Sequence, residues 1–216
     1  MIRFHGYFRS SAAYRCRIAF NLKKLEYDFV PVHLRRGGGE QKSERYRALN
    51  PQALVPTLEN GDLLLTQSLA IIEWLDETFP EPPLLPTDKD ARAKVRAFAQ
   101  IIACDIHPLQ NLRVLDYLRS ELGQDQAAAD RWCRRWISDG LSACERLLER
   151  EGAAGRFCFG DAPGLAEVCL IPQLFSAERF AVDLTDMPRL REIHAACEAL
   201  PAFADAHPTR QPDSED

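Results

Sequence analysis

Prolines at 80, 82, 83 and 86 divide the chain into two stretches of different periodicity. Proline removes a backbone donor and clashes with the preceding helical turn, so this cluster stops any regular element. Before it, strands and helices alternate. A strand near 2–6, a helix near 11–23 and a strand at 27–32 lead to a loop with Gly37, Gly38 and Gly39. A short helix near 43–49, a strand at 57–59, the hairpin turn Asn60-Gly61, a strand at 63–65 and a helix near 67–79 follow. Asn-Gly between apolar runs is a strong hairpin signal. A βαβα order followed by ββα implies a small mixed sheet with helices packed on it. After the prolines the pattern is helical only, over 88–120, 127–150, 164–180 and 188–199. The expected architecture is α/β plus all-α: a sheet domain over 1–82, a linker over 83–90 and an all-helical domain over 91–216. Trp132, Trp136, Ala143 and Leu147 recur at helical spacing and read as core.

The opening domain carries the chemistry. Phe8-Arg9-Ser10-Ser11 sits where the first strand turns into the first helix. The first four amides of a helix lack intrahelical acceptors, and the aligned peptide dipoles leave partial positive charge there. A thiolate, phosphate or carboxylate is stabilised at such an end. Ser10 and Ser11 are also good helix caps, but only one of two adjacent serines can fill that position. Gln67-Ser68 opens a second helix, with Ser68 as an N-cap or as a hydroxyl for a carboxylate. Val55-Pro56 precedes a short strand, and a cis bond there would turn backbone groups outward toward an extended peptide ligand.

Charge agrees with a small anionic ligand. Residues 1–50 hold eleven Lys and Arg against four Asp and Glu, whereas the whole chain carries a net charge of −5. That overall balance argues against a nucleic-acid partner. No apolar run is long enough to cross a membrane and no signal peptide opens the chain, so a cytoplasmic location is expected. Seven cysteines with no C-x-x-C pair and no histidine at zinc spacing read as small core residues, with no disulfide framework or metal site.

In the helical part, His107, Gln110 and Asn111 stand at i, i+3 and i+4 and are expected on one face, with Pro108 kinking the helix. Gly164 and Glu167 read as the start of a helix with a capping box, and Arg179 falls near its end. Arg179 is either a complement to the helix dipole or a second cation for a dianionic ligand.

The sequence resembles the glutathione transferase superfamily, closely its zeta class, which includes maleylacetoacetate isomerase. The carriers are Phe8-Arg9-Ser10-Ser11 with Arg15-x-Arg17-Ile18-Ala19, Ala48-Leu49-Asn50-Pro51, Val55-Pro56-Thr57-Leu58 and Gln67-Ser68-Leu69-Ala70-Ile71-Ile72-Glu73. They continue with His107-Pro108-Leu109-Gln110-Asn111-Leu112, Ala177-Glu178-Arg179-Phe180-x-Val182-Asp183-Leu184-Thr185 and Gln211-Pro212-Asp213. The resemblance implies a thioredoxin-like N-terminal domain, an all-helical C-terminal domain, a homodimer and glutathione as cofactor. It implies that Ser10 activates the glutathione thiol, with Ser11 and Arg15 nearby. Gln41, Val55 before a cis Pro56, Gln67 and Ser68 would hold the tripeptide, with Gln110 and Asn111 approaching from the helical domain. Arg9, His107 and Arg179 would serve a small keto-diacid substrate. Ala12 stands where the class usually has cysteine, and Gly164 with Glu167 where the superfamily's capping box has Ser or Thr with Asp.

The implied reaction is glutathione-dependent cis–trans isomerisation by reversible thiolate addition, in aromatic amino-acid catabolism. A thiol of pKa about 8.5 is only a few per cent ionised at neutral pH. Lowering that pKa by about two units takes about 2.7 kcal/mol, within reach of a helix end and a hydroxyl hydrogen bond. Nucleophilicity falls with pKa at a slope of about 0.4–0.5, which nearly cancels the gain in thiolate. Positioning and stabilisation of developing negative charge must therefore supply most of the rate. Alternatives on the same scaffold are a maleylpyruvate isomerase and a transferase or dehalogenase acting on α-halo acids. A non-catalytic glutathione-fold binding module is the alternative from a different class.

Overall fold

The computed structural model describes residues 1–152 and 155–215. The chain forms two compact units. The first contains Met1–Leu84 and the stretch from Leu200 onward, and the second is Leu85–Ala199.

The first unit contains β1 (Arg3–Gly6), α1 (Ser11–Lys23), β2 (Asp28–Pro31), α2 (Glu44–Leu49), β3 (Thr57–Asn60), β4 (Leu63–Thr66) and α3 (Ser68–Thr78). Its four-stranded sheet has the order β2-β1-β3-β4. The β1–β2 pair is parallel and the other two are antiparallel. A parallel pair needs a crossover connection, and α1 supplies it. Phe4 on β1 is fully buried, lies in register with Phe29 and Leu58, and meets Phe20 of α1 edge-on at 5.3 Å. Ile71, Ile72 and Leu75 bury the inner face of α3. Lys23 pairs with Asp76 at 2.6 Å and donates to the Phe79 carbonyl at 2.7 Å, tying the end of α1 to the end of α3.

The hairpin loop is Gly61-Asp62, one residue later than the expected Asn60-Gly61, because Asn60 still pairs with Leu63. Gly61 supplies the positive φ, 62°, that opens the turn.

The second unit holds α4 (Lys89–Gln100), α5 (Leu112–Ser120), α6 (Gln126–Glu151), α7 (Leu165–Arg179) and α8 (Pro188–Glu198). The single helix expected over 88–120 is broken. After Gln100 the chain widens into a π-helical segment, Ile101–Ile106, tightens into a 3-10 turn, His107–Gln110, and restarts as α5. Pro108 lacks the N–H that a continuous α-helix needs. Gly140 of α6 makes room for the widened segment, since a Cβ there would stand 2.3 Å from Ile106.

The core stripe of α6 also differs from expectation. Ala129, Cys133, Ile137, Leu141, Cys144 and Leu148 are buried, whereas Trp136 is 37% exposed and Trp132 is half-buried. Small cysteines let the helix pack closely, leaving the bulky tryptophans on the flank. Glu145 is buried with its carboxylate accepting from the amides of Arg189 and Leu190, so a side chain of α6 caps the start of α8. Gly164 is the N-cap of α7 as expected, and Glu167 accepts from the Gly164 amide at 2.7 Å and the Cys158 amide at 2.7 Å.

The expected helical domain runs to residue 216, but the stretch from Leu200, including α9 (Pro201–Ala204), packs with the first unit. Polar side chains of α1 hold it: Asn21 donates to the Ala202 carbonyl at 2.9 Å and Arg17 to the Ala206 carbonyl at 3.0 Å.

Candidate active site

Ser10 is the N-cap of α1. Its backbone is extended and its Oγ accepts from the Ala13 amide at 3.2 Å. Capping and thiol binding are compatible, because a hydroxyl that accepts through one lone pair still has a proton to donate. Ser11 is the first residue of the helix. No acidic residue lies in the first turn, so the positive end of the dipole is not offset there.

Arg9 is half-buried, with its guanidinium 5.4 Å from the centre of the Phe8 ring. Burial pushes the Tyr7 hydroxyl above its ordinary pKa, while the charge of Arg9 pulls the other way. Arg15 and Arg17 are 1% and 0% exposed. Arg15 donates to Ser68 Oγ at 3.2 Å, and Arg17 donates to the carbonyls of Ala206 and Phe8. Part of the basic excess of residues 1–50 is therefore internal structure rather than a surface for an anion, which corrects the simple charge reading. The sequence does not mark these two arginines as buried, and two cations on one helix ordinarily face water.

Ser68 is not the N-cap of α3. That position is Gln67, and Ser68 follows it, buried, with its hydroxyl bound to Arg15. Gln67 adopts φ 71° and ψ 117°, unusual for a residue with a Cβ, and its side-chain Nε2 donates to Gln52 Oε1 at 2.8 Å. Such a backbone costs on the order of 1–3 kcal/mol and persists where the surroundings impose it.

The Val55–Pro56 bond is cis. The turn before it is held at the Leu54 carbonyl, which accepts from the Tyr46 hydroxyl at 2.8 Å and from Asn50 Nδ2 at 2.7 Å. Tyr46 also meets the Thr57 hydroxyl at 2.9 Å, and burial pushes its pKa up to about 12.

Gln41 is buried with its Nε2 on the Leu34 carbonyl at 3.3 Å. Its Oε1 has no hydrogen-bond partner among the described residues. A buried acceptor left open suits a peptide-like ligand with N–H groups to offer. Gly39, at φ 106°, makes room for this amide, since a Cβ there would lie 2.6 Å from it. These features fit glutathione: a positive helix end with a hydroxyl, a cis-proline turn and an open buried acceptor in one unit.

The helical unit carries the other expected residues on two elements, the 3-10 turn with its flanking cap and α7. His107 begins the 3-10 turn and Gln110 ends it, donating to Gln173 at 2.6 Å. Asn111 is the N-cap of α5, extended at φ −65° and ψ 145°, with its oxygen accepting from the Arg113 amide. In a 3-10 turn residues three apart eclipse, so His107 and Gln110 share a face as expected, whereas the extended cap takes Asn111 out of the helical spacing. Arg179 is the last residue of α7, with its guanidinium 5.4 Å from the Phe180 ring centre. Tyr7, Arg17 and Asp213, which hold the Ser10 loop, were not singled out individually by sequence reasoning.

Residues 4–83 match the family model of the glutathione S-transferase N-terminal domain. The chain is 50% identical over 213 residues to a maleylpyruvate isomerase from a Ralstonia species, covering 99% of this chain and 100% of that protein. It is 47% identical to a maleylacetoacetate isomerase from Pseudomonas aeruginosa, covering 99% of each. Among solved structures, the holo form of a bacterial zeta-class maleylpyruvate isomerase superposes with TM-score 0.95 at 50% identity, covering 98% of this chain and 99% of that one. The maleylacetoacetate isomerase of Methylobacterium extorquens AM1, solved with malonate and glutathione, gives TM-score 0.94 at 40% identity, covering 99% of this chain and 100% of that one. With a thioredoxin-like sheet unit, a helical unit and full-length identity of this order, the chain belongs to the zeta-class glutathione transferases, the family of maleylacetoacetate and maleylpyruvate isomerases.

Proposed function

We propose that this enzyme isomerises maleylacetoacetate to fumarylacetoacetate with glutathione as cofactor, in the breakdown of aromatic amino acids in the cytoplasm. The observation that carries the reading is Ser10 capping α1, with its hydroxyl at the positive end of a helix. Bound glutathione supplies a thiolate able to add reversibly to an activated cis double bond, leaving a single bond about which the chain can rotate. Ser10 and the α1 amides hold that sulfur and favour its ionised form. Gln41, Val55 beside Pro56, Gln67 and Ser68 hold the tripeptide, with Ser11 and Arg15 supporting and Gln110 and Asn111 assigned to the same ligand.

Arg9 and Arg179 are proposed to hold the substrate's carboxylates bidentately, a geometry that suits the planar guanidinium. With His107, they favour the negative charge that develops on the carbonyl oxygen during the reaction. No metal has a part in this scheme. The exposed Leu63 and Leu64 on β4, at the edge of the sheet, support a homodimer.

Maleylpyruvate is the second substrate to test, favoured by the 50% identity to the Ralstonia isomerase. Turnover of the two keto-diacids by one preparation tests the reading, with the higher kcat/KM expected for maleylacetoacetate. A preference for maleylpyruvate reassigns the substrate, and no turnover of either removes the isomerase assignment.

A further inference from the structure

The backbone between β1 and α1 is held by charged side chains from two other places in the fold. The Phe8 amide donates to Asp213 Oδ2 at 2.9 Å. The Phe8 carbonyl accepts from Arg17 at 2.9 Å, and the same guanidinium reaches the Tyr7 carbonyl at 3.5 Å. Arg17 Nε donates to the Ala206 carbonyl at 3.0 Å. Both polar groups of Phe8 are thus fixed, two residues before Ser10, by one residue of α1 and one of the returning C-terminal segment.

The segment itself is tethered. Gln211 donates to the Asp205 and His207 carbonyls at 2.9 and 3.0 Å. Glu215 meets His33 at 3.0 Å and Arg36 at 2.9 Å. Burial pushes the Arg17 pKa down to about 10, which still leaves it charged at neutral pH, and Asp213 is among the groups that counter the shift. An apolar side chain would fill the Arg17 site at less desolvation cost. A buried guanidinium that spends its donors on three carbonyls, two of them in the loop that bears Ser10, fixes backbone geometry that apolar packing alone does not.

We propose that Asp213 and Arg17 are positioning residues that clamp the Phe8 peptide and so aim the Ser10 hydroxyl, making the C-terminal segment part of the thiol-activating apparatus. The proposal rests on the assignment of Ser10 to the thiol. A misplacement of about 1 Å at a reacting group can cost about a hundredfold in rate, so a peptide two residues away is well placed to matter.

The test compares Asp213→Ala, Asp213→Asn and Ser10→Ala in the full chain. It reads the thiolate ultraviolet absorbance of bound glutathione at neutral pH, kcat and KM for the keto-diacid, and hydrogen exchange at the Phe8 amide. Asp213→Ala is expected to lower kcat about tenfold or more and reduce the thiolate signal, with KM for the keto-diacid unchanged and the Phe8 amide exchanging faster. Asp213→Asn keeps an acceptor oxygen for Phe8 and is expected to recover most of each effect. A lower melting temperature with an unchanged thiolate signal and unchanged kcat overturns the proposal, as does unchanged exchange at Phe8. If Ser10→Ala itself leaves the thiolate signal intact, the Ser10 assignment fails and the clamp falls with it. If Ser10→Ala lowers the signal and Asp213→Ala does not, the clamp alone fails.

Discussion

In the proposed mechanism Ser10 and Arg9 divide the work of one loop. Ser10 occupies the cap, where its oxygen serves the helix, and the proposal gives its proton to the thiolate. Because the gain in thiolate is largely offset by lost nucleophilicity, the rate should depend more on groups that handle the substrate's charge. Arg9→Ala and Arg179→Ala are therefore expected to reduce isomerisation of the diacid more than conjugation of a neutral electrophile. Assays of each variant on both substrates check this, and equal losses would contradict the division. The thiols follow burial. Cys104 is exposed and the other six cysteines are buried. Burial pushes Cys133 up to about 11 and Cys144 up to about 12. A thiol reagent at neutral pH is expected to label Cys104 alone in the folded protein, as peptide mapping of the labelled protein would show, and all seven after denaturation. The small, scattered cysteines were legible in the sequence as core, except Cys104, which the structure leaves exposed. The inward turn of Arg15 and Arg17 was not, since charge composition carries no information about which carbonyls a guanidinium reaches.

At the scale of elements, the order of strands and helices was readable wherever periodicity and turn chemistry agree. The Asn60-Gly61 signal located the hairpin to within one residue, and the serine at 10 located the start of α1. The break between α4 and α5 was only half legible. Pro108 announced a kink, but the π-helical widening depends on Gly140, which lies over thirty residues away and contributes no local signal. The tryptophan stripe misled for a related reason: helical spacing identifies a face, and close packing on cysteines chose the neighbouring one. Gly140→Ala measures the constraint. Alanine gains about 1 kcal/mol in helix propensity, whereas crowding Ile106 costs about 1–3 kcal/mol. A net loss of stability is expected in thermal or denaturant unfolding, and a stabilised variant would show that the segment yields easily.

At the scale of the molecule, the prolines at 80–86 marked the division into a sheet unit and a helical unit. They gave no hint that the chain returns from Leu200 to the first unit, because that return is made by single contacts such as Asn21 to Ala202. The sheet unit binds its own C-terminal segment and holds the helix end, the cis-proline turn and the open Gln41 acceptor. In the proposed mechanism these features serve a thiol cofactor that is regenerated in each cycle. The direct measurement follows isomerisation of the cis keto-diacid by the wild type and by Ser10→Ala, with glutathione absent, substoichiometric and in excess. No turnover is expected without glutathione, many turnovers per glutathione when it is substoichiometric, and a loss of about tenfold or more in Ser10→Ala. Stoichiometric consumption of glutathione, or full activity in Ser10→Ala, would overturn the proposed mechanism.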